Sequence, residues 1–381
     1  FYAGLSGTAV DARHAPELAA ATIGLCEDAA RLSGLGAVAR APFDVLMPKA
    51  ERAPDVLVVG GTGFIGRSLV RKLIDAGHSV RIATRGARTA AMLFRDMPVD
   101  IVSGSHGDPA DADAMLDGID IVYHLAKCEG RNWNDYLRGD VEPTRVFGEA
   151  AARAGVKRFI YTGTIDSYDS GNPARTIDNS TPVDRAIAGR NLYARSKAAC
   201  EELLRDIAAK AGMPLFIMRP GIVIGPGSPP AHPGVGRFTS DTRVDYWGDG
   251  QNMLPLVHVD DVATALALAA DASGIDGRDF LLSGPPLMSA RDYVAQLERL
   301  SGSRIAQAAR PAWRHWIMDF VKEAVKNLIR HPNRRRSTLH DWQCKAHCAR
   351  YDASGTESAL DWHPIADRDT LIARGIGDAL G

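Results

Sequence analysis

From residue 55 onward, short and continuously apolar runs alternate with longer amphipathic stretches. Asp55–Val59 is the first run and Ser79–Thr84 the second; the helical pattern between them reaches Ala76 and stops at Gly77. The same reading predicts strands at 99–102, 119–125, 156–162, 214–219 and 279–283, with helices between most of them, among them a long one holding Tyr193 to Lys210. Runs that are apolar throughout belong to strands covered on both faces. The expected fold is therefore α/β, a doubly wound parallel sheet, followed by a smaller C-terminal α/β lobe. Before residue 55 one helical pattern opens at Pro16, runs through Leu18, Ala21, Leu25, Ala29 and Leu32, and ends at Gly34; Pro42, Pro48 and Pro54 then mark a linker.

Composition narrows the classes. The 381 residues suffice for a nucleotide-binding domain with an attached lobe, and 45% hydrophobic with 24% charged is ordinary globular usage. Basic and acidic residues nearly cancel at 45 against 46, so no chain-wide field attracts nucleic acid and none is expected as a partner. No apolar run reaches the ~18–20 residues of a membrane-spanning helix. Cys26, Cys128, Cys200, Cys344 and Cys348 are odd in number and scattered, which reads as reduced thiols in a cytoplasmic protein. The chain opens at Phe1 without a leader pattern, and the expectation is a piece of a longer fusion.

Chemistry first shows in Gly60-Gly61-Thr62-Gly63-Phe64-Ile65-Gly66, between an apolar strand and a helix. A dinucleotide pyrophosphate needs backbone N–H donors and the positive end of a helix, and glycines at 60, 63 and 66 let the backbone come close enough. This is the Rossmann arrangement. It divides the chain into an N-terminal helix and linker (1–54), an NAD(P)-binding domain (55–225) and a mainly substrate-binding lobe (226–381), with 256–283 returning to the core. Where an NAD site places a carboxylate after the second strand, this chain has Thr84-Arg85-Gly86. A guanidinium suits a 2′-phosphate, so NADP is expected over NAD.

Tyr193 and Lys197, at i and i+4, share one helix face, and the ammonium is expected to lower the phenol pKa. With the glycine turn, this Tyr-x-x-x-Lys pair makes the chain resemble the extended short-chain dehydrogenase/reductase family, also called the NAD-dependent epimerase/dehydratase family, over about 55–375. YHLAK (123–127), VKRFIYTGTIDSY (156–168), MRPGIVIGPG (218–227) and LVHVDDVATAL (256–266) follow in family order. The resemblance implies Thr164, Tyr193 and Lys197 as the catalytic set. It implies cofactor contacts from Gly60, Gly63, Phe64, Ile65, Gly66, Arg85, Asp108 (at the adenine), Ala126, Lys127, Thr162, Tyr193, Lys197 and Pro220. Asp140 and Pro143 replace a family Asn and Gly, Gly163 stands where Ser or Thr is frequent, and Thr164 is followed by Ile165-Asp166, without the acid pair of the dehydratases. FYAGLSGTAV and the helix after it are faintly similar to the C-terminal end of glucose–fructose oxidoreductase-type dehydrogenases.

The resulting expectation is Tyr–Lys-assisted hydride transfer at a secondary alcohol or ketone, first on a nucleotide sugar. A hydroxysteroid- or flavonoid-type ketone reductase comes second, and a non-catalytic dinucleotide sensor is the reading from another class. A homodimer is the assembly left open. Two weaker patterns remain. His340, Cys344, His347 and Cys348 could gather on one helix face, but the frame is not a standard zinc one and no metal is expected. Over 313–330, Trp313, Trp316, Ile317, Phe320, Ala324 and Leu328 form a stripe among basic residues; such stripes ordinarily pack on their own domain, with a membrane surface as the alternative.

Overall fold

A computed structural model describes residue 50, residues 52–333 and residues 336–380. The expected helix over 16–34, prolines 42 and 48, and the sugar-dehydrogenase likeness lie outside the described residues. All described residues fall within one compact unit, Lys49–Gly381.

The first half runs β1 (Val56–Val59), α1 (Phe64–Asp75), β2 (Val80–Thr84), α2 (Ala87–Leu93), β3 (Val99–Ser103), α3 (Pro109–Leu116), β4 (Ile121–His124), α4 (Glu142–Ala154), β5 (Arg158–Thr162), α5 (Leu192–Ala211) and β6 (Leu215–Pro220). There follow β7 (Ile222–Ile224), β8 (Gly236–Ser240), β9 (Arg243–Trp247), β10 (Leu256–His258), α6 (Val259–Asp271), β11 (Asp279–Leu282), α7 (Ala290–Ser301), β12 (Ala306–Arg310), α8 (Ala312–Leu328) and α9 (Leu339–Cys344). Seven strands form one sheet in the order β11-β6-β5-β4-β1-β2-β3, each neighbouring pair parallel. Every residue of β1, β4 and β6 is buried, as strands covered by helices on both faces require. One such face packs Phe147 of α4 and Leu204 of α5 onto Phe159, Tyr161 and Ile217.

The chain winds outward in opposite directions from β1 and β4. Their carboxyl ends therefore flank a crevice, the usual ligand site of an open α/β sheet. The two strand ends meet closely. Gly60 has φ +91°, and a Cβ there would lie 2.9 Å from the Ala126 nitrogen, so glycine is required twice over.

Beyond the sheet, β9 pairs with β12 in parallel and with β8 antiparallel, while β7 pairs with β10. The start of α6 ties in the last residues of the chain. Asp261 accepts from the Ile365 nitrogen at 2.9 Å, the Asp261 carbonyl accepts from Trp362 Nε1 at 2.8 Å, and Asp260 pairs with Arg374 at 2.8 Å. Helix α8 departs from the expectation that its apolar stripe packs inward. It buries His315, Asp319 and Glu323 and turns Trp313, Ile317, Phe320 and Leu328 outward. On its inner side His315 stacks on Trp342 at 5.4 Å and meets Trp247 edge-on at 5.1 Å, and Glu323 pairs with Lys326 at 2.7 Å.

Candidate active site

The crevice between β1 and β4 opens into one continuous cleft. On one side the glycine turn contributes Gly60, Gly63, Phe64, Ile65 and Gly66, and α1 begins at Phe64 with no side-chain cap and no acidic residue in its first turn. Gly63 N–H turns back to the Gly60 carbonyl at 3.0 Å, and among the described residues no side chain caps the N–H groups that follow, which lie at the cleft as an anion site requires. At Gly66 a Cβ would stand 2.3 Å from the Gly60 carbonyl oxygen. Gly66→Ala should therefore force the turn apart and weaken dinucleotide affinity by roughly tenfold or more, given ~1–3 kcal/mol for an overpacked contact, measurable by calorimetric titration.

Arg85 lines the cleft just past β2, with Thr84 and Gly86. Ala126 and Lys127 follow β4, Thr162 ends β5 and Pro220 ends β6, and all of them line the same cleft. The Thr162 hydroxyl is buried without a protein partner. Asp108 is placed otherwise than the resemblance implies. It is exposed at the N-cap of α3, accepting from the nitrogens of Ala110 at 3.0 Å and Asp111 at 3.2 Å, and Ser105 and His106 line the cleft in its stead. Both bonds go to Oδ1, the ordinary work of an N-cap aspartate. Burial pushes His106 down to about 4, so its imidazole is uncharged at neutral pH.

Thr164, Tyr193 and Lys197 come together as their spacing requires. Thr164 is buried at the N-cap of a short 3₁₀ turn, Ile165–Ser167, where its hydroxyl accepts from the Asp166 nitrogen at 3.2 Å, and it lies beside the Tyr193 phenol and favours its phenolate. Asn191 caps α5, accepting from the Ala194 nitrogen at 2.9 Å, and so fixes the first turn that carries Tyr193. Lys197 is buried, donates to the Ala126 carbonyl at 3.3 Å and lies 4.5 Å over the Tyr161 ring. Burial lowers its pKa while Asp140 opposes the fall.

The expected depression of the Tyr193 pKa by Lys197 does not emerge. Burial pushes the phenol well above its ordinary value, Asp166 adds to the rise, and only the neighbouring Thr164 hydroxyl works against it. Asp140, Asp166, His232 and His347 complete the surroundings. Asp140, in the π-helical turn Leu137–Val141, is buried, lines the cleft and accepts from Ser196 Oγ at 2.5 Å. Asp166 faces His347, Nε2 to Oδ1 3.6 Å, and His347 Nδ1 lies 2.9 Å from the Tyr351 hydroxyl. His232 and His347 are both pushed down to about 4 by burial. The one sequence hint was Asp140 standing in an Asn position; His347 is brought in by a distant segment.

Gly163 has a packing reason. A Cβ there would meet Glu201 Oε1 at 2.3 Å, and Glu201 is the buried partner of Arg219. The helix-face cluster is split: His340 and Cys344 gather with Asp169, their ligand atoms within 4.8 Å of one another, while His347 turns to the cleft. The carboxylates beside them are already paired, Asp169 with Arg175 and Asp184 with Arg190, each at 2.9 Å.

An uncapped helix behind a glycine turn, facing a buried Tyr–Lys pair across one crevice, defines a class: enzymes that bind a dinucleotide beside a hydroxyl or carbonyl. The model of the NAD dependent epimerase/dehydratase family matches residues 56–283, and the chain belongs to that family. It is an NAD-dependent enzyme of oxidoreductase or epimerase type. The chain is 28% identical over 260 residues to a 2-alkyl-3-oxoalkanoate reductase of Stenotrophomonas maltophilia, covering 64% of this chain and 74% of that one. It is 29% identical over 267 residues to a dTDP-6-deoxy-L-talose 4-dehydrogenase (NAD(P)(+)) of Kitasatospora kifunensis, covering 68% and 71%. Its fold is shared with a UDP-glucuronic acid 4-epimerase of Bacillus cereus solved with NAD, at TM-score 0.64 and 18% identity, covering 85% and 97%.

Proposed function

We propose that the protein reduces the ketone of a weakly charged small molecule to a secondary alcohol, and runs the reverse oxidation, with NADP(H) preferred over NAD(H). The observation that carries this reading is the pairing of a phenol held in its acid form with a substrate end poor in cations. Tyr193 keeps its proton because burial and Asp166 disfavour the phenolate, which suits a group that gives a proton to a carbonyl oxygen. The substrate end is bounded by Ile222, Val223, His232, Trp247, Lys345 and His347. Both histidines are neutral there, and Lys345 is the one cation in that set, lying 5.7 Å over the Trp247 ring.

The residues fit a dinucleotide by two signs given above, the uncapped start of α1 and the orphaned Thr162 hydroxyl. When bound, the nicotinamide supplies or accepts the hydride. Thr164 then orients the substrate oxygen, Tyr193 Oη gives it a proton as the carbon is reduced, and Lys197 holds the ribose side from its place beside Ala126. A nucleotide sugar is the second reading, favoured by Lys345 as a phosphate partner and by the likeness to a deoxysugar dehydrogenase. Steady-state assays of 3-oxo esters and cyclic ketones against UDP-, GDP- and dTDP-sugars separate the two. Turnover confined to the sugars would replace the first reading by the second, and tight cofactor binding with no turnover on either set would favour a sensor.

Cofactor choice is tested at one residue. Because Arg85 is exposed at the cleft edge where a ribose 2′ group would lie, NADP(H) should bind more tightly than NAD(H), and Arg85→Asp should narrow or reverse the preference. Fluorescence titration of both cofactors checks this. Tighter NAD(H) binding by the wild type would refute it.

A further inference from the structure

We propose that the outer face of α8 docks the protein on an anionic lipid surface, beside the mouth of the cleft. The helix is inside out. Its apolar residues Trp313, Ile317, Met318, Phe320, Val321, Val325 and Leu328 are 43–85% exposed, whereas its polar His315, Asp319 and Glu323 are at most 8% exposed. A soluble helix ordinarily does the opposite, and a contiguous apolar face of this size rimmed by polar residues marks a contact surface.

Charge identifies the occupant. Residues 304–336 hold nine Lys or Arg, and their only acidic residues, Asp319 and Glu323, are the two that α8 buries. Arg314 and Lys322 are exposed among the apolar side chains, Arg330 is exposed beyond the helix end, and Lys326 is half-buried against Glu323 at 2.7 Å. The rim presented outward is therefore cationic. A second copy meeting this face about a two-fold axis would set like charges against each other, which is unfavourable. An anionic bilayer satisfies both the apolar strip and its basic rim, the combination used by helices that lie in a membrane interface. Among the described residues no helix is long and apolar enough to cross a membrane, so the contact is one of lying on the surface.

The position adds an independent reason. The buried side of α8 rests through His315 on Trp247 and Trp342, and Trp247 lines the substrate end of the cleft. A bilayer under α8 would thus lie next to the substrate entrance. This inference concerns the surface alone and holds whichever substrate the cleft takes.

Co-sedimentation of the full chain with vesicles tests it, comparing phosphatidylcholine alone with phosphatidylcholine carrying one part in about three of phosphatidylglycerol. The wild type should pellet with the anionic vesicles, remain in solution with the neutral ones, and be released at high salt, where the Debye length shrinks to about 3 Å at 1 M. The double substitution Phe320→Ser and Leu328→Ser should reduce the partition coefficient by roughly tenfold or more, since two large apolar side chains no longer enter the interface. Both residues are exposed, so the melting temperature and cofactor affinity should stay at wild-type values. Arg314→Gln with Lys322→Gln should weaken binding to anionic vesicles with the apolar strip intact. Wild-type chain left in the supernatant with anionic vesicles, or a Phe320→Ser/Leu328→Ser chain that pellets as well as wild type, would overturn the proposal. A concentration-dependent dimer that falls apart in that variant, with no vesicle binding, would assign the face to a second copy instead.

Discussion

Tyr193→Phe is expected to lower turnover on an established substrate by roughly 10²–10⁴-fold, the usual scale for removing a positioned acid or base. The ring stays, so the packing around α5 and the cofactor affinity should survive, and a near-normal titration with dinucleotide would separate lost chemistry from lost structure. The companions sharpen the assignment. Thr164→Val should lower turnover more than cofactor affinity, because its hydroxyl faces the phenol. Lys197→Met should weaken cofactor binding, because the ammonium beside Ala126 no longer holds the ribose side. The sign for Asp166→Asn follows from its charge. Asp166 raises the Tyr193 pKa, and proton donation is present below that pKa and lost above it, so neutralising Asp166 should bring the high-pH loss of ketone reduction to lower pH. Full activity in Tyr193→Phe would refute the chemistry.

The second large effect is structural. Glu201→Ala should destabilise the fold by about 3–5 kcal/mol, the cost of leaving a buried guanidinium without its partner, seen as a fall in the denaturant midpoint. Glu201 and Arg219 are both 1% exposed, and the pair ties α5 to β6 with three hydrogen bonds. Arg219 also donates to the Tyr168 hydroxyl at 3.0 Å and pairs with Asp279 of the edge strand at 2.9 Å. A guanidinium stays protonated in proteins, so the Arg219 charge persists when Glu201 is removed. Because Glu201 stands one turn beyond Lys197 on the same helix, the variant should also loosen the catalytic face. An unchanged midpoint would mean that Tyr168 and Asp279 alone satisfy the guanidinium.

What the chain determines locally was legible, and what distant segments decide was not. The seven strands of the main sheet could be read because each is a short, mainly apolar run bounded by turns, most clearly in β1, β4 and β6, where every residue is buried. The glycine turn and the Tyr193–Lys197 spacing could be read because a backbone approach and a helix period depend on neighbours in sequence. Asp108 marks the limit of such reading, because an aspartate before a helix serves as its cap as readily as it meets a ligand, and only the path of the chain chooses. The electrostatics of Tyr193 escaped for a related reason. Spacing gives the neighbouring ammonium, but the degree of burial and the approach of Asp166 are set by how α5 meets the turn after β5. His232, Trp247, Lys345 and His347 are separated by as many as 115 residues and acquire a common purpose only when the C-terminal lobe folds over the sheet. Helix α8 makes the same point in reverse. The sequence determined its amphipathic period, since that depends on 3.6 residues per turn, but which side faces inward was decided by contacts from distant segments, among them the Trp247 and Trp342 rings that pack on His315.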